Sequence, residues 1–207
     1  MEYVVYVADV ETTGLDSRLN DVIELSLHRL TDGQQRTWQL KPLNVNNIDA
    51  IALKINGHKL EDLLHQTAHG RNTYRDPNQV IIEVENWMAE DGMPTEKRIL
   101  VGQNINFDKD MFEQLWTKCN SRDSLPFGRR IMDTMQIEFF LDWCKGTMAE
   151  GYSLNNLIKK YGVKNEKAHT AEADVKATKE VFEKQVEYFK KVLGIHSTNG
   201  SGILVDA

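Results

Sequence analysis

The 207-residue chain reads as a single α/β domain on a mixed sheet, part antiparallel meander and part parallel strands, with helices packed around it. Three observations predict this. A nearly continuous β-branched and aromatic run opens the chain. Two shorter strand-like runs follow it around a hairpin signal. From about residue 98 onward, short apolar runs alternate with helical periodicity.

Taken in order, residues 3–10 read as a central strand, apolar on both faces. Gly14 and Asp16 suggest a turn. Residues 22–30 and 36–40 read as strands joined through Thr31-Asp32-Gly33, which completes the meander. Residues 44–70 read as short helical pieces and loops, and residues 78–90 as a helix. A strand over 98–102 then precedes a helix over 107–119, and a strand over 129–132 precedes a helix over 134–144. Helices over 154–161 and 171–193 finish the pattern. Strands separated by helices imply parallel pairing. Residues 1–194 are expected to form the domain. Residues 195–207, small and polar over 197–202, are expected to be a flexible tail.

The composition narrows the functional classes. A hydrophobic content of 41% suffices for a sizeable core. A net charge of −6 excludes a binder driven by a global positive field, so any nucleic acid must be held by local features. Cys119 and Cys144 give neither a disulfide framework nor metal-ligand spacing, and read as buried thiols of a cytoplasmic protein. The first ten residues, MEYVVYVADV, lack the basic region of a secretory signal, and no apolar stretch suits a membrane span, so no membrane partner is expected.

The informative anomaly is acid placed where core should be. Asp9 and Glu11 lie two apart at the end of the first strand, so their side chains share a face and repel unless a cation lies between them. In the helix after the 98–102 strand, Phe107, Met111, Phe112, Leu115, Trp116 and Cys119 form one stripe, with Asp108 near its centre. Ala171, Val175, Thr178, Phe182, Phe189 and Leu193 trace the inner face of the last helix, with Asp174 at its edge. Carboxylates against apolar faces are costly unless paired, and no matching set of inward lysines or arginines is evident. A shared divalent cation resolves the conflict, and oxygen-only ligands suit Mg²⁺ or Mn²⁺ rather than zinc. His169 precedes the last helix and is expected on a loop, from which it can reach over the acids.

These residues resemble the motifs of the DEDDh (DnaQ-like) family of 3′→5′ exonucleases. The first motif reads Asp9-Val10-Glu11-Thr12-Thr13-Gly14-Leu15, the second Gly102-Gln103-Asn104-Ile105-Asn106-Phe107-Asp108, and the third His169-Thr170-Ala171-Glu172-Ala173-Asp174. Met132-Asp133-Thr134 and Tyr152-Ser153-Leu154-Asn155-Asn156-Leu157 are also similar to the family. The resemblance implies a ribonuclease H-like fold and two divalent ions. Asp9 would bridge them, Glu11 and Asp174 would complete one, and Asp108 would support the other through water. It further implies His169 as the general base. Thr12, Thr13, Gly14 and Leu15, with Asn104 and Phe107, would bind the terminal nucleotide. Gln103 departs from the histidine common in the family. The chemistry agrees: hydrolysing a phosphodiester needs an activated water and a neutralised leaving oxygen, and histidine suits proton transfer near neutral pH.

The implied substrate is a single-stranded 3′ end, DNA favoured, and a polymerase or other replication protein is a candidate partner. An exoribonuclease or oligoribonuclease needs the same four acids, so the motifs leave RNA open. A silent nucleic-acid-binding module remains the reading from a different class. Other features take plainer readings. Asp133 reads as a helix cap rather than a fifth ligand, and Glu24, in the second strand, could face the site. Trp116 and Trp143, and Phe107 by its periodicity, read as core. Residues 159–191 hold nine lysines against six acids, a candidate path for a nucleic-acid backbone.

Overall fold

The computed structural model describes residues 3–64, 74–119, 125–165 and 169–195. The expected tail from residue 196 lies outside the described residues, as does the end of the expected 44–70 segment. The strands are β1 (Val4–Thr12), β2 (Val22–Arg29), β3 (Gln35–Leu40), β4 (Tyr74–Arg75), β5 (Arg98–Gly102) and β6 (Ile131–Asp133). The helices are α1 (Ala50–Asn56), α2 (Leu60–Leu64), α3 (Pro77–Ala89), α4 (Ile105–Lys118), α5 (Thr134–Lys145), α6 (Leu154–Tyr161) and α7 (Ala171–Val192).

The six strands form one sheet in the order β4-β3-β2-β1-β5-β6. β1, β2 and β3 make the antiparallel meander, while β1–β5, β5–β6 and β3–β4 pair parallel. The mixed ribonuclease H-like sheet is therefore as expected. The two-residue β4 at the edge is an addition, too short to carry a strand pattern of its own. α4 begins two residues earlier than its apolar stripe, and β6 two residues later than its charged start, because the stripe marks packing rather than backbone hydrogen bonding.

β1 alternates between two cores. Tyr6, Ala8 and Val10 pack with Val84, Trp87 and Met88 of α3 and with Met111, Phe112 and Leu115 of α4. Val5 and Val7 face the other way, toward Val175 and Phe182 of α7. Asp9 and Glu11 continue this second set by strand periodicity, so they emerge on the α7 side. The β1–β2 register is interrupted between Glu11 and Thr12, a bulge where the carboxylates leave the sheet.

A buried polar clamp fixes α7. Glu138 on α5 is fully buried. Its Oε2 accepts from the Tyr161 hydroxyl of α6 and from Gln185 Nε2 of α7, the latter at 2.9 Å, and Lys160 Nζ lies 2.7 Å from its Oε1. Gln185 Nε2 also donates to the Thr134 carbonyl at 2.9 Å. Three helices thus share one buried network, which holds α7 in place behind the acids.

Three expectations are corrected here. Cys144 is exposed and Cys119 half-buried, so neither is a fully buried thiol. Trp143 is 67% exposed, because α5 turns Leu141 and Asp142 inward and leaves Phe139 and Trp143 on its outer face. Trp116 is buried as expected, and Phe107 sits half-buried at the core margin. Among the described residues, no helix is long and apolar enough to cross a membrane.

Gly102 ends β5 and leads into α4. A Cβ there would lie 3.0 Å from the Ala8 carbonyl of β1 and 2.4 Å from Ile105 Cδ1. Gly102→Ala is therefore expected to push α4 off the sheet end and to cost about 1–3 kcal/mol. Denaturant unfolding measures this, and a variant as stable as the parent would contradict the close packing.

Candidate active site

The site lies where β1 outruns its parallel neighbour. Pairing with β5 stops at Val7–Val101, yet β1 continues to Thr12. The Val10 N–H beyond that point has no β5 partner, and Asp108 Oδ1 accepts it at 3.0 Å. Asp108 is thus no helix cap. It is a buried side chain in the first turn of α4 that stands in for the missing strand.

Asp174 arrives from the first turn of α7. Ligand oxygens of Asp9, Glu11 and Asp174 all lie within 4.8 Å of one another. Among the described residues, no lysine or arginine forms a salt bridge with these three or with Asp108. Oxygen-only donors so close, without a counter-cation, fit a divalent ion such as Mg²⁺. Asp108 is not one of the converging three.

The electrostatics record the crowding. Burial, then Asp108, Glu11, Asp174 and Glu24, raise the Asp9 carboxyl well above its ordinary range. Burial, then Asp174 and Glu24, push Glu11 up to about 8. Burial also raises Asp108, against the Val10 N–H that lowers it. Asp174 is raised by burial against two opposing bonds: Asn165 Nδ2 donates to its Oδ1 at 2.6 Å, and the His169 N–H to its Oδ2 at 3.1 Å.

His169 lies on the expected loop. It is exposed, with a left-handed φ of 69°, just before the Thr170 cap of α7. Leu15 is 85% exposed, and Asn104 is exposed with φ 55°. Thr12 and Thr13 are buried and occupied within the loop: Thr12 Oγ1 donates to the Gly14 carbonyl at 2.7 Å, and Thr13 Oγ1 accepts from Asp21 N at 2.9 Å. Gly14 packs tightly on Asn20, its Cβ position 2.6 Å from that side chain. Of this loop, Leu15 is the residue whose side chain stands well out in solvent.

The neighbours divide clearly. Asp133 caps α5 by accepting from Met135 N at 2.9 Å, and it also accepts from Asn104 N at 3.0 Å, so the helix-cap reading holds. Gln103 is tied away from the acids, donating to the Tyr152 carbonyl and accepting from Thr134 Oγ1. Glu24 does face the cluster. Asn165 was not singled out in the sequence, since it lies in the loop after α6 with no periodic pattern to mark it. Of the lysines over 159–191, Lys160, Lys179 and Lys184 pair with acids, which thins the expected backbone track.

Residues 6–182 match the exonuclease family RNase_T. The "DNA polymerase III PolC-type" of Thermotoga petrophila is 29% identical over 90% of this chain, and that of Staphylococcus aureus 27% over 95%. The chain spans only 12% of the length of each. Among solved structures, Escherichia coli exonuclease I bound to single-stranded DNA superposes with a TM-score of 0.69 at 18% identity, covering 94% of this chain and 42% of that one. Cell-death related nuclease 4 (CRN-4) gives 0.71 at 14% identity, covering 90% and 64%. At these identities the structures speak to the fold.

Two predictions follow from the geometry. Between its ordinary pKa of 4.5 and its folded value of about 8, Glu11 keeps in the folded chain a proton that the unfolded chain has released. The unfolded state then binds fewer protons, so stability falls as pH rises through this window. In EDTA the melting temperature is expected to decline from pH 5 to 8.5, and Glu11→Gln to flatten that decline. Identical profiles for the two proteins would contradict it. Second, Asp108→Asn keeps an acceptor for Val10 N–H and should hold or raise the metal-free melting temperature. Asp108→Ala leaves that N–H buried and unpaired, at a cost of about 1–3 kcal/mol. Equal melting of the two variants would show that the Val10 bond contributes nothing.

Proposed function

This chain belongs to the RNase_T exonuclease family and is a nuclease, and from that premise we propose that it removes nucleotides from the 3′ end of single-stranded DNA by metal-dependent hydrolysis. The observation that carries the proposal is the convergence of Asp9, Glu11 and Asp174 within 4.8 Å, without a lysine or arginine ion pair among the described residues. Two Mg²⁺ or Mn²⁺ ions held by these acids, with Asp108 behind them, would supply an activated water and charge neutralisation at the leaving oxygen.

The chain's own residues do the rest. The His169 imidazole takes the proton of the attacking water, and its backbone bond to Asp174 keeps the loop against the acids. The exposed Leu15 packs against the terminal nucleotide, and the closed loop through Thr12, Thr13 and Gly14 holds that side chain in place. Asn104 and Phe107, at the start of α4, line the adjoining wall. The PolC-type relatives favour DNA over RNA and a polymerase partner in proofreading or repair, and the single-stranded DNA bound to exonuclease I supports an unpaired strand.

The test is degradation of 5′-labelled DNA and RNA oligonucleotides. Stepwise shortening in Mg²⁺ or Mn²⁺, faster on DNA, blocked by a modified 3′ terminus and absent in EDTA, is expected. Internal cleavage, or full activity in EDTA, would contradict the mechanism. His169→Ala is expected to lose about 10²–10⁴ in single-turnover rate. It should keep the metal-induced rise in melting temperature, because the histidine is not a ligand. Near-parental cleavage by this variant would remove His169 from the chemistry.

A further inference from the structure

Glu24 stands outside the sequence motifs, yet it is buried and lies opposite Glu11 in the β1–β2 register. Paired positions of antiparallel strands project from the same face with their side chains close. Its charge raises Asp9, Glu11 and Asp174 alike. A fifth carboxylate here adds repulsion to a site already crowded with acid, so its retention needs a physical reason.

Its neighbours supply one. Gln39 Nε2 of β3 donates to Glu24 Oε2 at 3.1 Å, and His58 Nε2 lies 3.6 Å from the same oxygen. His58 Nδ1 is bonded to the Tyr74 hydroxyl, and the two rings meet edge to face at 5.7 Å. This contact seats the ring beside Glu24. Burial holds His58 below its ordinary pKa, which favours the neutral ring. A lysine or arginine in this place would orient Glu24 and cancel its charge. The Gln39 amide orients it through Oε2, with the His58 ring packed beyond, and neither cancels the charge.

We infer that Glu24 is a positioning residue of the divalent-cation centre. Its carboxylate, held by Gln39 beside the His58–Tyr74 pair, deepens the negative potential at Asp9, Glu11 and Asp174 and raises cation occupancy. The inference rests on the metal-dependent reading of the site. It assigns Glu24 an effect on how much cation is needed, not a place in the bond-breaking step.

The experiment is a Mg²⁺ and Mn²⁺ titration of melting temperature on the full chain, for the parent, Glu24→Gln, Glu24→Asp and Asp9→Asn, alongside cleavage rates at low and high Mg²⁺. Glu24→Gln should raise the half-saturating cation concentration about fivefold or more, as expected for removing a nearby charge from a half-buried site. Its metal-free melting temperature should equal or exceed the parent's. Its rate at low Mg²⁺ should fall and be restored by raising Mg²⁺. Glu24→Asp, which keeps the charge, should fall between. A Gln variant that titrates like the parent overturns the inference, as does one whose only defect is a lower metal-free melting temperature. Should the Gln variant fail to fold, Glu24→Asp carries the test: parental half-saturation with a lowered metal-free melting temperature would overturn it. A parent chain with no cation-induced shift, or one whose shift survives Asp9→Asn, would instead overturn the metal reading itself.

Discussion

The structure is organised around like charges that cannot leave one another. Asp9, Glu11 and Asp174 converge within 4.8 Å at the end of a central strand, where burial and mutual repulsion push Glu11 to about 8 and Asp9 well above its ordinary range. No lysine or arginine pairs with them among the described residues. The metal-free fold must therefore hold protons on these groups or bear their repulsion, and a divalent cation removes both burdens at once. The rigidity of what surrounds the acids follows from this. A site that repels itself stays assembled only if each member is fixed from behind.

Each acid is fixed by a different device. Asp9 and Glu11 ride on β1, whose inner neighbours Val7 and Val10 are locked in opposite cores. Asp108 takes the place of a strand at Val10 N–H, so it braces the backbone between the two β1 acids. Asp174 is gripped on both oxygens, by Asn165 and by the His169 backbone. Behind it, the Glu138–Tyr161–Gln185 clamp ties α7 to α5 and α6. The bond from His169 to Asp174 also couples the proposed general base to the acid beneath it, so the loop is held against the site although the histidine itself is exposed.

Much of this was legible in the sequence because it rests on periodicity. The i, i+2 spacing of Asp9 and Glu11 gave their shared face, and the apolar stripe around Asp108 gave its burial. The spacing of His169 from α7 gave its loop. What escaped depends on contacts between elements with no common pattern. Asn165 sits in an irregular loop, and the role of Asp108 at Val10 exists only because β5 ends before β1 does. Glu24 was noticed as a residue that could face the site, but its surroundings, Gln39, His58 and Tyr74, come from three separate segments. Trp143 misled because aromatic identity in a helix suggests core, whereas the geometry of α5 places this ring outside.

Crowded, buried carboxylates with raised proton affinity become a cation site when a divalent ion takes the place of the protons. The most direct measurement is calorimetric titration with Mn²⁺ at pH 7, repeated in buffers of different ionisation heat, on the parent and on Asp9→Asn. Two ions per chain, a net release of protons on binding, and loss of both in Asp9→Asn are the expected results. Binding without proton release, or binding unchanged by Asp9→Asn, would show that the cations sit elsewhere and that the acid cluster has another purpose.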